Sequence, residues 1–453
     1  VPSAHGAGRT PAREAIAAVT GSFTEHHLPM GPASSDGPLG WTGYADSRAR
    51  ATERTGEEES VLYGVAAVDG LPCVLVSFEF GFLGGSLGAR TGDRLEAAYT
   101  LAREQRLPLV SLVATGGSRM QEGMIALIQL QRVAGASALL RAAGLPQIAV
   151  LRDPTTGGGW ATVGAGADVV LALPGAQIGF GGSRVRPADA DPYAYTAEGQ
   201  LEAGQIDAIV SPGELPRTLS RWLRALAVSG PAQAAPVPAA LSATGLPETG
   251  WDAVEQARSA ARPRAEAYLD AYFDHRLPLN GDRCGGTDPG LLSGVGLREG
   301  QTVAYVAQCG TATRPAGYRT AARVIRLADR LGLPVLTLID TPGAANDAEA
   351  ERAGAGAAIA DTFAAIASAR VPVTTLVIGE GGSGGALALA APDNTHVTAD
   401  SYFSVIAPEL AAAILKRGPD QVRSTADQLR LRPQDLVDLG VARSVVGSGP
   451  TGR

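Results

Sequence analysis

Lysine is almost missing from this chain: Lys416 is the only one, and arginine supplies the remaining basic charge. That shortage excludes two chemistries. No Walker A lysine is available to grip a nucleotide phosphate. Lys416 lies in Leu415-Lys416-Arg417, not in the Met-Lys-Met setting of a biotinylated lysine, so the chain is not expected to carry biotin itself. Cysteine is as scarce. Cys73, Cys284 and Cys309 are too few and too scattered for a disulfide framework or a C-x-x-C metal site, and a cytoplasmic, reducing location is expected. The five histidines form no His-Glu-x-x-His, so no metal is expected. A net charge of −7 argues against nucleic acid as the main partner, since phosphate binding needs a basic face. No apolar stretch reaches the ~20 uncharged residues of a membrane span, so no membrane association is expected. The start, Val1-Pro2-Ser3-Ala4-His5, lacks the charged-then-apolar pattern of a secretory signal.

Glycine is abundant, and twice an apolar run ends in a glycine pair at an expected helix start. The first copy follows Ile148–Leu151 and reads Asp153-Pro154-Thr155-Thr156-Gly157-Gly158-Gly159-Trp160. The second follows Val371–Ile378 and reads Gly379-Glu380-Gly381-Gly382-Ser383-Gly384-Gly385-Ala386. Glycines at such a junction permit a sharp turn and leave N–H groups unobstructed at the positive end of a helix dipole. N–H pairs of this kind stabilise oxyanions, and two of them suggest chemistry in which two carbonyl oxygens gain charge.

A chain of 453 residues suits two domains of roughly 200 residues each. The stretch 228–250, rich in Ala, Pro and Gly without sustained periodicity, reads as a linker between domains at 1–227 and 251–453. The halves repeat one plan. Val61–Val68 with Cys73–Phe80, and Gly290–Leu297 with Thr302–Gln308, read as hairpins. Each hairpin is followed by a helix pattern, a strand and a loop. The loops are Thr115-Gly116-Gly117-Ser118-Arg119 and Asp340-Thr341-Pro342-Gly343-Ala344, and each leads through another helix to a glycine junction. Apolar strands alternating with helices imply an α/β fold with buried sheets, duplicated along the chain.

The first half, with Phe78–Gly88, Gly116–Glu122, Asp153–Gly158 and Ile178-Gly179-Phe180, resembles the β subunit of bacterial acetyl-CoA carboxylase carboxyltransferase. The second, with Gly317-Tyr318-Arg319, Ile339–Ala344, Ile378–Ala388 and Tyr402–Glu409, resembles the α subunit. The resemblance implies both subunits fused in one chain, as two tandem crotonase-like β-α superhelix domains. It also implies a reaction. Carboxybiotin on a partner carrier protein, charged by biotin carboxylase, gives CO2 to the α-carbon of an acyl-CoA. The thioester becomes an enolate and the ureido oxygen of biotin takes up charge. By that pattern Gly157 and Gly158 hold the thioester oxygen, and Gly384 and Gly385 hold the ureido oxygen. Gly116, Gly117, Arg119, Trp160, Tyr318, Arg319, Gly343 and Ala344 are expected on the substrate side. The active site is expected to need the first half of one protomer and the second half of another, hence at least a homodimer.

Other readings stay open. Glu122 and Glu351 follow corresponding loops and suit either acid–base work or helix-start and surface roles. The β subunit's four-cysteine zinc ribbon has no counterpart. Trp160 stands where a small residue is expected, either narrowing an acyl pocket or packing. The α subunit's basic stretch is shortened to Gly310–Ala316, and the expected Tyr-Pro after Gly343-Ala344 is replaced by Ala345-Asn346, so an acyl-carrier-protein thioester competes with CoA. A biotin-independent malonyl-type thioester decarboxylase is the alternative enzyme, and a non-catalytic scaffold the alternative class.

Overall fold

The structure, a computed structural model, describes residues 9–28, 36–227, 232–242 and 245–447. The Val1–His5 segment lies outside them. The chain forms two compact units, Val1–Ala227 and Val228–Arg453.

In the first unit, β1 (Ser22–Glu25) pairs with β2 (Val61–Val68), which forms an antiparallel hairpin with β3 (Leu71–Phe78). Asp69 and Gly70 turn that hairpin with φ of 50° and 75°, the left-handed pair that matches strand twist. Helix α1 (Ala89–Gln105) carries the chain to β4 (Leu109–Thr115), parallel to β3, and α2 (Gln129–Ala142) carries it to β5 (Gln147–Thr156). The sheet closes through β6 (Val169–Ala172) and β8 (Ala208–Ile209), while the short β7 (Ile178–Gly179) pairs with the end of β5. Helices cover β4 and β5, so these strands are apolar on both faces, and Val74, Leu95, Tyr99, Val113 and Leu151 share one core.

The second unit repeats the plan. β9 (His275–Pro278), β10 (Leu291–Arg298) and β11 (Gln301–Gln308) are antiparallel, with Glu299 and Gly300 turning the hairpin at φ of 49° and 83°. Helix α4 (Pro315–Leu331) leads to β12 (Val335–Thr341), and α5 (Ala355–Ser368) to β13 (Val373–Gly382). β14 (Thr395–Thr398) and β16 (Val445–Val446) extend the sheet, and β15 (Tyr402–Ser404) pairs with the end of β13. The stretch expected as a linker belongs to this unit where it is described. Residues 232–242 form no helix or strand, Ala235 is buried in the core, and its carbonyl accepts the Thr374 hydroxyl at 2.8 Å. Tyr272 donates to the Pro236 carbonyl at 2.8 Å. Aperiodic sequence marks absence of helix and strand, not absence of packing.

The helical run Met120–Ala142 has the length and composition of a membrane span. It is broken at Gly123, where φ is 52°, and carries Glu122, Arg132 and Arg141. Arg132 reaches across to Asp93 at 2.8 Å and to Glu96 on α1. In this fold Val133 and Leu140 from the run enter the first core.

A buried ion pair ties the ends of β12 and β13 together. Arg262 reaches both carboxylate oxygens of Asp340 at 3.0 and 2.9 Å, and donates to the Ile378 carbonyl at 2.7 Å. Asp340 also accepts the Glu380 amide at 3.2 Å. Removing one partner of such a pair strands the other charge in a low dielectric. Asp340→Ala is expected to cost about 3–5 kcal/mol in denaturant unfolding of the second unit. Arg264→Ala, which removes a half-exposed contact to the same carboxylate, should cost no more than about 1 kcal/mol.

Candidate functional site

Each unit ends its central strands in the same construction. The chain leaves β4 through Gly116-Gly117-Ser118, and Thr115 Oγ1 accepts the Gly117 amide at 3.1 Å. It leaves β12 through Pro342-Gly343-Ala344, and Thr341 Oγ1 accepts the Gly343 amide at 3.1 Å. Gly117 and Gly343 adopt φ of 104° and 142°, which a residue with a Cβ rarely tolerates. The next residue forms an isolated parallel bridge in both units, Ser118 with Leu87 and Ala344 with Thr313.

Opposite each loop, a short helix starts from the neighbouring strand: α3 (Gly157–Gly159) after β5 and α6 (Ser383–Leu387) after β13. Strand register fixes which residues correspond. Thr115 pairs with Thr155 and Thr341 with Gly381, while Thr156 faces Gly179 and Gly382 faces Ser404. Gly158 is therefore the counterpart of Gly384, and Gly159 of Gly385. The sequence-derived pairs, Gly157 with Gly158 and Gly384 with Gly385, are one residue out of step. Ser383, at φ 56°, takes the left-handed position that Gly157 holds at φ 64°.

Hydrogen bonding removes one expected donor. The Gly157 N–H is taken by the Phe180 carbonyl at 3.1 Å, because β7 pairs alongside. Among the described residues, no hydrogen bond takes the amides of Ser118 and Gly158 in the first unit, or of Ala344 and Gly384 in the second. First-turn amides have no helical acceptor, and the loop amides lie beyond the strand ladders. Each unit thus presents a free loop N–H, on Ser118 or Ala344, facing free N–H groups at a helix start, Gly158 and Gly384 among them. The glycine runs themselves do not point to Ser118; its signal in the sequence is the Thr-x-Gly that closes both inner strands.

Loop and helix start touch without side chains between them. A Cβ on Gly157 would lie 2.9 Å from Gly117 Cα, and one on Gly385 would lie 2.4 Å from the Ala344 amide nitrogen. The two units differ above the helix start. Leu130 covers Gly158, where a Cβ would come within 2.5 Å of its methyl, whereas Gly384 is exposed with nothing within 4 Å. Trp160 is buried in the first core beside Gly164, in a π-helical turn closed by Ala165 N–H donating to the Trp160 carbonyl at 2.7 Å. Its indole packs.

The charged candidates are spoken for. Arg119 is buried between Glu59, at 2.5 Å, and Glu122, at 3.2 Å. Burial alone would lower its pKa, but Glu59 and the neighbouring acidic groups hold it further above the ordinary arginine value. Burial likewise pushes Glu59 upward, and Arg119 more than offsets this, leaving it below the usual carboxylate range. Glu122 accepts the Tyr44 hydroxyl at 2.5 Å and the Ala89 amide at 2.6 Å, capping α1. Burial pushes Tyr44 up to about 12. The cluster anchors the loop carrying Ser118 from behind. Glu351 is exposed on the helix Ala348–Arg352. Arg319 is held by Asp282 at 2.7 Å and donates to the Ala353 carbonyl at 2.9 Å. Tyr318 is buried, its hydroxyl on the Gly385 carbonyl at 3.0 Å, so it backs the junction. Among the described residues, no three His, Cys, Asp or Glu side chains gather as metal ligands do.

Comparison with known proteins agrees with this construction. The family described as "Carboxyl transferase domain" matches residues 40–210, and that described as "Acetyl co-enzyme A carboxylase carboxyltransferase-like" matches residues 247–452. The chain is 38% identical to the acetyl-coenzyme A carboxylase carboxyl transferase subunits beta/alpha of Saccharopolyspora erythraea, covering 90% of this chain and 76% of that one. For the Salinispora arenicola protein of the same description the identity is 39%, over 94% and 80%. Among solved structures, the transcarboxylase 12S hexamer with methylmalonyl-coenzyme A superposes with a TM-score of 0.77 at 20% identity, over 97% of this chain and 87% of that one. The fold is two tandem crotonase-like domains.

The tight and open glycines are expected to separate in stability. Gly385→Ala should destabilise the second unit by about 1–3 kcal/mol through overpacking. Gly384→Ala, pointing into open space in a helical turn, should change stability by less than about 1 kcal/mol. Chemical denaturation of the two variants reads the difference.

Proposed function

The chain belongs to the acetyl-CoA carboxylase carboxyltransferase family, and from that premise we propose that it moves CO2 from carboxybiotin on a separate carrier protein to the α-carbon of an acyl thioester. The observation that carries the reading is the duplicated pair of unclaimed main-chain amides, one pair per unit. Biotin, when bound, supplies the CO2 and the ureido base. The chain's own part is electrostatic. Ser118 and Gly158 donate to the thioester oxygen as it gains enolate charge, and Ala344 and Gly384 donate to the ureido oxygen. Preorganised donors at a developing oxyanion need no reorganisation during the reaction, and each is worth about 10²–10³ in rate. The open approach to Gly384 suits a group delivered on a partner, and the covered Gly158 suits a small acyl chain. The lone lysine supports delivery of biotin by another protein.

The thioester carrier remains part of the proposal. Arg314 is the only basic residue of the shortened segment, and it is tied to Asp347 at 3.3 Å and Glu349 at 3.0 Å. CoA phosphates would have to find cations elsewhere, so acetyl-CoA and an acetylated acyl-carrier protein should be compared as acceptors. We also propose a homo-oligomer, at least a dimer. Met120 is 76% exposed just after the Ser118 loop, and Val405, next to the strand that pairs with the end of β13, is 72% exposed. Apolar faces of this kind need a covering partner. A cytoplasmic setting suits the three unpaired cysteines.

Purified protein supplied with biotinylated carrier, biotin carboxylase, ATP and bicarbonate is expected to carboxylate an acyl thioester, and to turn over nothing without the carrier. Gly384→Val should lower transfer by about 10²–10³. Malonyl-thioester decarboxylation without biotin, undiminished in that variant, would replace the transferase with a decarboxylase. Sedimentation should show a dimer or larger.

A further inference from the structure

We propose that Gln308 and Tyr318 form a buried cross-brace that fixes the spacing between the two walls of the second amide pair, making both positioning residues for the chemistry there. The inference rests on the transferase reading. Its geometry stands independently of that reading.

One wall is the loop carrying Ala344. It hangs on Thr313 through paired main-chain bonds, Thr313 N–H to the Gly343 carbonyl at 3.1 Å and Ala345 N–H to the Thr313 carbonyl at 2.9 Å. The other wall is the start of α6, with Gly384 and Gly385. Gln308, fully buried at the end of β11, spans both. Its Nε2 donates to Thr313 Oγ1 at 3.0 Å and to the Gly385 carbonyl at 3.3 Å. The Tyr318 hydroxyl donates to the same carbonyl at 3.0 Å, and a Cβ on Gly385 would lie 2.6 Å from that hydroxyl oxygen. A continuing helix would give the Gly385 carbonyl to Leu389, but the Leu389 amide turns to Ala386 at 3.2 Å. The two side chains therefore supply what the helix does not.

The brace belongs to one unit. At the matching places in the first unit stand Phe78, closing β3, and Gly92 on α1, which have no hydroxyl or amide side chain to offer. There Thr162 Oγ1, from within the helix itself, donates to the Gly158 carbonyl at 2.7 Å, and Leu130 packs above. Two amides that must meet one oxygen tolerate a displacement of only a fraction of an ångström, so a brace between their supports bears on kcat and leaves binding of the acyl thioester at the other pair unaltered.

Tyr318→Phe deletes one hydroxyl, and Gln308→Met removes both bonds of the amide while keeping its length. Amide hydrogen exchange, read by mass spectrometry on peptides covering 382–389, is expected to quicken at least about threefold in either variant. Exchange over 156–164 should not change. Biotin-dependent kcat should fall about tenfold with the KM for the acyl thioester within twofold of wild type. Unchanged exchange and kcat overturn the brace. So does a uniform rise in exchange across the second unit with a raised KM, which marks ordinary core residues. Should Tyr318→Phe not fold, Gln308→Met decides alone. A wild-type protein without biotin-dependent turnover sinks the transferase reading, and local exchange then still decides the brace.

Discussion

The architecture of each unit turns on a steric constraint: a loop and a helix start meet backbone to backbone, at Gly157 in the first unit and, two register positions further along, at Gly385 in the second, with no room for a Cβ at either contact. At Gly157 a Cβ would lie 2.9 Å from the facing Gly117 Cα, and at Gly385 2.4 Å from the Ala344 nitrogen. Real Cβ atoms do not approach so closely, so the residue types follow from geometry. The parallel strands behind them set the separation of loop and helix, and buried cores hold the strands. Threonine at the end of the inner strand completes the unit by binding the amide two residues on, in both copies.

Much of this was legible in the sequence. The paired hairpins, the alternation of buried strands with helices and the two glycine junctions rest on local patterns of period and turn chemistry, and the structure contains each. Composition marks 228–250 as a linker but says nothing of what aperiodic chain packs against; Thr374 and Tyr272 bind the carbonyls of Ala235 and Pro236. The finer errors have a common cause. Which glycine corresponds to which depends on strand register, a property of two segments distant in sequence. Gly157 loses its free N–H to Phe180, a contact created by β7. Arg119 and Arg319 are expected on the substrate side from the motifs that hold them, and sequence does not show that Glu59, Glu122 and Asp282 pair with them in place.

Duplication has left two sites alike in backbone and unlike in surroundings. The first has a leucine above its helix start and an aromatic core behind it. The second is open above and polar behind, with an amide and a phenol directed at one carbonyl. Such divergence fits one site that encloses its ligand and another that receives a group from outside, with the main-chain donors held constant while side chains changed around them.

The shortness of α3 and α6 has a consequence of its own. The helical run 157–164 and α6 are only eight and five residues long and sum few peptide dipoles, so little long-range field projects from their ends. Any anion stabilised here feels individual N–H groups at contact distance and almost nothing at ten ångströms. Stabilisation of that range is indifferent to ionic strength, because no counter-ion fits between donor and acceptor. In the proposed reaction, salt would therefore act on the meeting with a charged partner, and scarcely on the bond-making step once that partner is seated.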